Sequence, residues 1–95
     1  MIKVVKKENS IMIKGHAKFA EYGQDIVCAA VSSIVTTTIN GILKIDQNSI
    51  IYKQDENQIE IKILKSKKNT NLLIENMLDL LAQLAKKYPN NLEMK

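Results

Sequence analysis

The only cysteine and the only histidine of this 95-residue chain are Cys28 and His16, twelve positions apart (28 − 16). A thiolate is a strong nucleophile near neutral pH, and an imidazole beside it can take up a proton and return it. The surroundings of the two suit that pairing. His16 follows Gly15, and Gly15 and Gly23 bracket a segment without clear periodicity, which reads as a loop hinged at two glycines. Cys28 falls in the first turn of an apolar helix, at the third helical position if Asp25 is the N-cap. There the unpaired N–H groups and the helix dipole favour a thiolate. The same N–H groups suit the oxyanion of a tetrahedral intermediate. A lone cysteine in an apolar helix is ordinarily packing, and a lone histidine at a strand end is ordinarily solvated. Having both flank one glycine-bounded loop is what favours chemistry.

Two neighbours carry double readings. Asp25 is a good N-cap, and it is also placed to orient His16 as the third group of a triad. Three residues ahead of Cys28 its carboxylate opposes a thiolate, so any help must run through His16 or the backbone. Ser32 lies one helical turn beyond Cys28 on the same face. Its hydroxyl either donates to the thiolate or bonds back to the Cys28 carbonyl.

The elements that must position these residues follow from periodicity. Residues 2–7 and 11–14 are β-branched and partly alternating around Glu8-Asn9-Ser10, a hairpin signal. From Asp25 to about Asn40 the spacings 27, 31, 34, 38 and 28, 32, 35, 39 predict a helix, with Asn40-Gly41 as its stop. Its apolar circumference predicts burial against more than one surface. Residues 49–53 read as a strand and Asp55-Glu56-Asn57 as a turn. Residues 58–64 alternate strictly, with Ile59, Ile61 and Ile63 on one face. Thr70 or Asn71 is expected to cap a second helix to about Tyr88, with Leu73, Met77, Leu80, Leu81 and Leu84 as its stripe, stopped by Pro89-Asn90-Asn91. Leu92 to Lys95 suit an edge strand. The order ββαββα, with a possible final β, predicts one α+β domain over residues 1–95, an antiparallel or mixed sheet with two helices packed on it.

Composition excludes several classes. A mass of 10.7 kDa allows one small core. With 45% apolar and 25% charged residues the chain is globular in balance. No apolar run is expected to span a membrane, no secretory signal is expected from the first residues, and the cytoplasm is the expected compartment. One cysteine allows neither an internal disulfide nor a multi-cysteine zinc site. The formal charge is +4, and every one of the 14 basic residues is lysine. Lysine lacks the bidentate fork that reads base edges, and the four aromatics, Phe19, Tyr22, Tyr52 and Tyr88, do not form a stacking platform. Sequence-specific nucleic-acid binding is therefore disfavoured. Lys65, Lys67 and Lys68 form a basic loop, either plainly solvated or a landing patch for an RNA-rich partner. The reading from another class is a non-enzymatic ribosome-assembly or RNA-associated binding module, with Cys28 as packing.

Gly15-His16-Ala17, followed by Gly23-Gln24-Asp25-Ile26-Val27-Cys28-Ala29-Ala30-Val31-Ser32, resembles the signature of the ribosomal-processing cysteine proteases, the Prp family. The signature is G-H-A, a short loop, then G-x-D-I-V-C-A-A-V-S. Length and element order fit over the whole chain. The resemblance implies a cytosolic, homodimeric endopeptidase that removes a short N-terminal extension from the precursor of one large-subunit ribosomal protein, the twenty-seventh of the L series, cutting after a Phe in an apolar-rich target. By motif position it implies Cys28 as nucleophile and His16 as general base and acid. Asp25 and Ser32 would be supporting residues, and Gly15 and Gly23 the hinges of a loop that closes over substrate. It calls for no metal or cofactor.

Overall fold

In the computed structural model, residues 1–15 and 24–95 are described, Gln24 and Asp25 as backbone only. The elements are β1 (Ile2–Lys6), β2 (Ser10–Lys14), α1 (Gln24–Ile45), β3 (Ile50–Gln54), β4 (Gln58–Ile63), α2 (Lys68–Lys87) and β5 (Leu92–Met94). The strands form one sheet in the order β3-β4-β2-β1-β5. All neighbours are antiparallel except β1 and β5, which run parallel. This is the expected α+β domain, and its sheet is mixed because the last strand joins an edge alongside the first.

Period-two alternation sorts the sheet into two faces. Val4, Ile13 and Ile59 stand in register across three strands, as do Ile11 and Ile61 across two. These residues, with Ile2, Ile50 and Leu92, are buried in one core together with side chains from both helices. The opposite face carries Lys3, Met12, Lys14, Glu60 and Lys62, so both helices lie on one side of the sheet.

α1 buries a single stripe, Val27, Val31, Val35, Ile39 and Ile42. Burial on several sides, as its composition suggested, does not occur within the chain: Ile26 and Ile45 are more than half exposed, and Ala29, Ser33, Thr36 and Thr37 face solvent. Over Ile26–Ile45 the mean hydropathy is 1.8, so α1 is long and apolar enough to cross a bilayer, contrary to the sequence expectation. Here its inward stripe is occupied by the sheet.

The helix also runs through the expected stop at Asn40-Gly41. A glycine inside a helix costs about 1 kcal/mol relative to alanine. Burying Ile39 and Ile42 returns about 1.5–3 kcal/mol each, so the helix continues. It ends where Asp46 N–H makes the last bond of the turn, to the Ile42 carbonyl at 2.9 Å. The Asp46 side chain then accepts the Asn48 N–H at 2.9 Å, an Asx turn that leads into β3.

α2 also starts earlier than expected. Lys67 is its N-cap, without a side-chain cap, and Thr70 is buried inside the first turn rather than capping it. Lys67 Nζ instead reaches Asp46 at 2.8 Å and ties the start of α2 to the end of α1. Lys68 is thus helical and not part of the basic loop. The inward stripe is Thr70, Ile74, Met77 and Leu81, while Leu80 is 39% exposed. Ile74 belongs to the stripe and Leu80 does not, because Thr70, Ile74, Met77 and Leu81 are spaced 4, 3 and 4 apart on one helical face, from which Leu80 is turned aside. Tyr88 ends the helix, its N–H on the Leu84 carbonyl at 2.9 Å.

Two expectations follow. Gly41 has nothing within 4 Å of where a Cβ would stand, so Gly41→Ala is expected to stabilise by about 1 kcal/mol, raising Tm by about 4–8 °C. A Tm that falls would show that this position needs glycine. Asp46 is held below its ordinary value of 3.8, chiefly by the Lys67 hydrogen bond and next by the Asn48 N–H. A lowered carboxylate pKa contributes stability above the unfolded value, and that contribution is lost as pH falls through the folded value. Asp46→Asn keeps the acceptor for Asn48 and removes the charge. Its Tm deficit relative to wild type should be full at pH 6 and should disappear as pH falls through the lowered folded value. A deficit independent of pH would contradict the assignment.

Candidate active site

The connections of the fold decide which end of the sheet holds Cys28. The C-terminus of α1 leads through residues 46–49 into the start of β3, and Leu64 N–H returns to the Ser49 carbonyl at 2.8 Å. That end also holds the Glu8-Asn9 turn, since Ile63 N–H donates to the Asn9 carbonyl at 2.8 Å. α1 has 22 residues, about 33 Å at 1.5 Å per residue. Its N-terminus therefore lies at the opposite end, with Met1, Gly15 and the β3–β4 turn. Cys28 and the end of β2, from which the chain enters residue 16, thus share one end of the molecule.

Gly15 is fixed there. Its φ is +89°, and a Cβ would stand 2.4 Å from the Met1 carbonyl oxygen, backbone that has no rotamer to yield. Its N–H donates to the Asn57 carbonyl at 2.8 Å. Asn57 is in turn held by Asp55, whose Oδ1 accepts the N–H groups of Asn57 at 2.8 Å and Gln58 at 2.9 Å. The sequence marked Gly15 as a hinge. The structure makes it a point where only glycine fits, seated between the Met1–Ile2 segment and the β3–β4 turn.

Cys28 is half-buried on the flank of the inward stripe of α1, packed against the core. α1 is described from Gln24, so Cys28 is no earlier than its fifth residue and Asp25 lies inside the helix rather than capping it. This corrects the expected third position. Only the first four N–H groups of a helix lack an intrahelical acceptor, and the dipole effect fades within that turn. The free N–H groups are thus those preceding Cys28, which leaves them available to an oxyanion.

Ser32 follows one turn on and is half-buried. Further along α1 the Thr38 hydroxyl donates to the Ile34 carbonyl at 2.8 Å. His16 and Gly23, with the loop between them and the aromatics Phe19 and Tyr22, lie outside the described residues, as does the side chain of Asp25. Among the described residues no three His, Cys, Asp or Glu side chains group as metal ligands would. Two concavities, of about 360 and 610 Å³, are lined respectively by Asn9, Ser66 and Glu75 among others, and by Ile45, Asp46 and Thr70 among others. Both lie at the far end from Cys28.

A half-buried thiol near the start of a long helix, over a mixed five-stranded sheet, is an arrangement in which a cysteine can act as a nucleophile. Residues 1–93 match the family described as cysteine protease Prp, and the chain belongs to that family of cysteine proteases. It is 32% identical over 94 residues to the ribosomal processing cysteine protease Prp of Mycoplasma genitalium, covering 97% of this chain and 92% of that one. It is 27% identical over 95 residues to the Bacillus subtilis protein of the same name, covering 90% and 82%. Among solved structures, an essential ribosomal processing protease Prp from Staphylococcus aureus, in complex with a substrate peptide, superimposes with a TM-score of 0.87 at 21% identity. That match covers 99% of this chain and 95% of the other, and it shows the shared fold. A Streptococcus mutans protein superimposes at 0.86 with 27% identity, over 99% and 90%.

The Gly15 seat yields a direct expectation. Gly15→Ala forces a side chain into the left-handed region and onto the Met1 carbonyl, a cost of about 1–3 kcal/mol. Tm should fall by at least about 4 °C in thermal melts. An unchanged Tm would mean that Met1 does not hold this approach.

Proposed function

We propose that this protein is an endopeptidase that removes the N-terminal extension of the precursor of a large-subunit ribosomal protein, the twenty-seventh of the L series, during ribosome maturation. The observation that carries the reading is the complete G-H-A…G-x-D-I-V-C-A-A-V-S signature, with Cys28 near the start of α1 and Gly15 fixed at the same end of the sheet. The relatives named for ribosomal processing support the substrate class.

The reaction needs no group beyond the chain and water. His16 takes the proton of Cys28, and the thiolate attacks the scissile carbonyl carbon. The oxyanion of the tetrahedral intermediate is met by the N–H groups of the first turn of α1. His16 then gives its proton to the departing amine, which leaves a thioester on Cys28. Water, deprotonated by His16, attacks that thioester and releases the second product with the thiol restored. Asp25 supports His16 or the backbone, Ser32 supports the thiolate, and Gly15 and Gly23 are the hinges of the substrate loop. The working form is a cytoplasmic homodimer, for which the exposed Ile26-Ala29-Ser33 flank of α1 offers an apolar surface. The RNA-docking alternative loses support from the lysine cluster, since Lys67 is committed to Asp46.

The test is incubation with the matching ribosomal protein carrying its extension, read by mass spectrometry. One cut is expected in wild type and none in Cys28→Ala, with the variant still folded. His16→Ala is expected to slow the cut by about 10²–10⁴-fold. A folded Cys28→Ala protein that still cleaves would refute the reading.

A further inference from the structure

The sheet turns one face to the helices and the other to solvent. The alternation that buries Val4, Ile11, Ile13, Ile59 and Ile61 puts Lys3, Lys14, Lys53, Lys62 and Lys95 on the outer face, all five exposed. Among the described residues of that face only Glu60 and Glu93 oppose them. The face thus carries three of the four net positive charges of the chain. The register spreads these charges across the whole sheet. Lys3 and Lys14 stand directly opposite each other on β1 and β2, a like-charge pair that works against the fold. Lys53 lies on the β3 edge opposite Glu60, and Lys62 lies between Ile51 and Ser10. Lys95 lies at the β5 edge, within 3.6 Å of Glu93. Five strands at about 4.8 Å spacing make the surface about 19 Å wide.

The side chains on this face limit what it can hold. Lysine meets a phosphate as a point charge and reads no base edge. The strands place no aromatic there, since the register pairs Tyr52 with Ile61 on the helix side. The face therefore offers neither a stacking platform for bases nor an aromatic anchor for a bilayer. Among its strand residues Ile51, 47% exposed, is the one large apolar side chain that stands out, and Val5 and Met12 are half-buried.

We propose that the outer face of the sheet is a docking surface for the phosphate backbone of a single-stranded nucleic acid, held through Lys3, Lys14, Lys53 and Lys62 without regard to base sequence. The contact is electrostatic throughout, so it concentrates the protein on nucleic acid without fixing it at one place. The surface is separate from the loop that holds Lys65 and Lys67. The inference goes beyond the endopeptidase reading and does not rest on it, because binding is measured with no cleavage step.

The test is fluorescence anisotropy with a labelled single-stranded RNA of mixed sequence, from about 50 to about 200 mM salt. Full-length wild type would be compared with a Lys3→Gln, Lys14→Gln, Lys62→Gln variant. A Lys44→Gln, Lys68→Gln, Lys86→Gln variant makes the same change in net charge on exposed lysines of the helices. Wild type should show a slope of log affinity against log salt of about −2, from three net charges at about 0.7 each. The sheet variant should bind at least about tenfold more weakly at about 50 mM salt, with a slope near zero. The helix variant should keep the wild-type slope and stay within about threefold. The sheet variant should melt no lower than wild type, because it removes the Lys3–Lys14 opposition. A gain is expected as well: Glu60→Gln with Glu93→Gln adds two net charges to the face and should steepen the slope to about −3.5.

Equal losses in the two lysine variants overturn the inference, since overall charge would then explain the binding. So does a Glu60→Gln, Glu93→Gln protein that binds no tighter than wild type, an arm that stands even if the sheet variant fails to fold. Absence of wild-type binding at about 50 mM salt overturns it too. Tighter binding to vesicles of equal parts phosphatidylserine and phosphatidylcholine than to RNA would make the occupant a lipid surface and likewise refute it.

Discussion

The contact on which everything else depends is the one between the apolar stripe of α1 and the isoleucine face of the sheet. Val27, Val31, Val35, Ile39 and Ile42 meet Val4, Ile11, Ile13, Ile59 and Ile61 in one buried cluster. At about 1.5–3 kcal/mol for each fully buried side chain, this seam outweighs every local signal around it. It carries the helix through Asn40-Gly41 and fixes its direction. It also sets Cys28 on a rigid support at the end of the sheet where β2 finishes. A nucleophile gains from such a mounting, because the core has already met the cost of ordering it.

The same seam limits what the helix can do for the thiol. The register that buries Val27 puts Cys28 on the flank of the stripe, no earlier than the fifth helical residue. Its own N–H lies beyond the unpaired first turn. The helix terminus is therefore better placed to receive an oxyanion than to ionise the sulfur. Under the proposed dyad, that division gives added weight to His16, the residue that follows Gly15 in the chain. Gly15, closed in by the Met1 carbonyl and tied to Asn57, is where the chain leaves the sheet.

Much of this was legible in the chain. Strict alternation over 58–64 and the β-branched runs at 2–7, 11–14 and 49–53 mark the strands that form at Ile2–Lys6, Ser10–Lys14, Ile50–Gln54 and Gln58–Ile63. The misreadings share a cause. Asn40-Gly41, Asp25 and Thr70 are strong local markers of helix ends, each worth about 1 kcal/mol. None of them ends or caps a helix here, since neighbouring turns bury more than a cap returns. Leu80 was grouped with the core stripe by its type, whereas the stripe follows the phase set by the start of α2. The Asp46–Lys67 pair joins residues 21 positions apart, and only the packing of two helices brings them together. The Asx turns at Asp46 and Asp55 had a readable signal, an aspartate two residues ahead of an asparagine. What the turn at Asp55 holds was not readable, because Gly15 is 42 residues away (57 − 15) from the carbonyl that receives it.

The parallel pairing of β1 with β5 joins residues ninety positions apart (92 − 2). Lys95 N–H donates to the Val4 carbonyl at 2.7 Å, and Ile2 N–H donates to the Asn91 carbonyl at 2.9 Å. β1 thus keeps one edge open until residues 92–95 are available to pair with it. Closure of so long a loop is slow compared with forming either hairpin. Met1, the backstop of Gly15, belongs to the segment that this late pairing secures. The nascent chain can therefore carry its thiol well before it has the finished sheet edge behind the strand end that serves it.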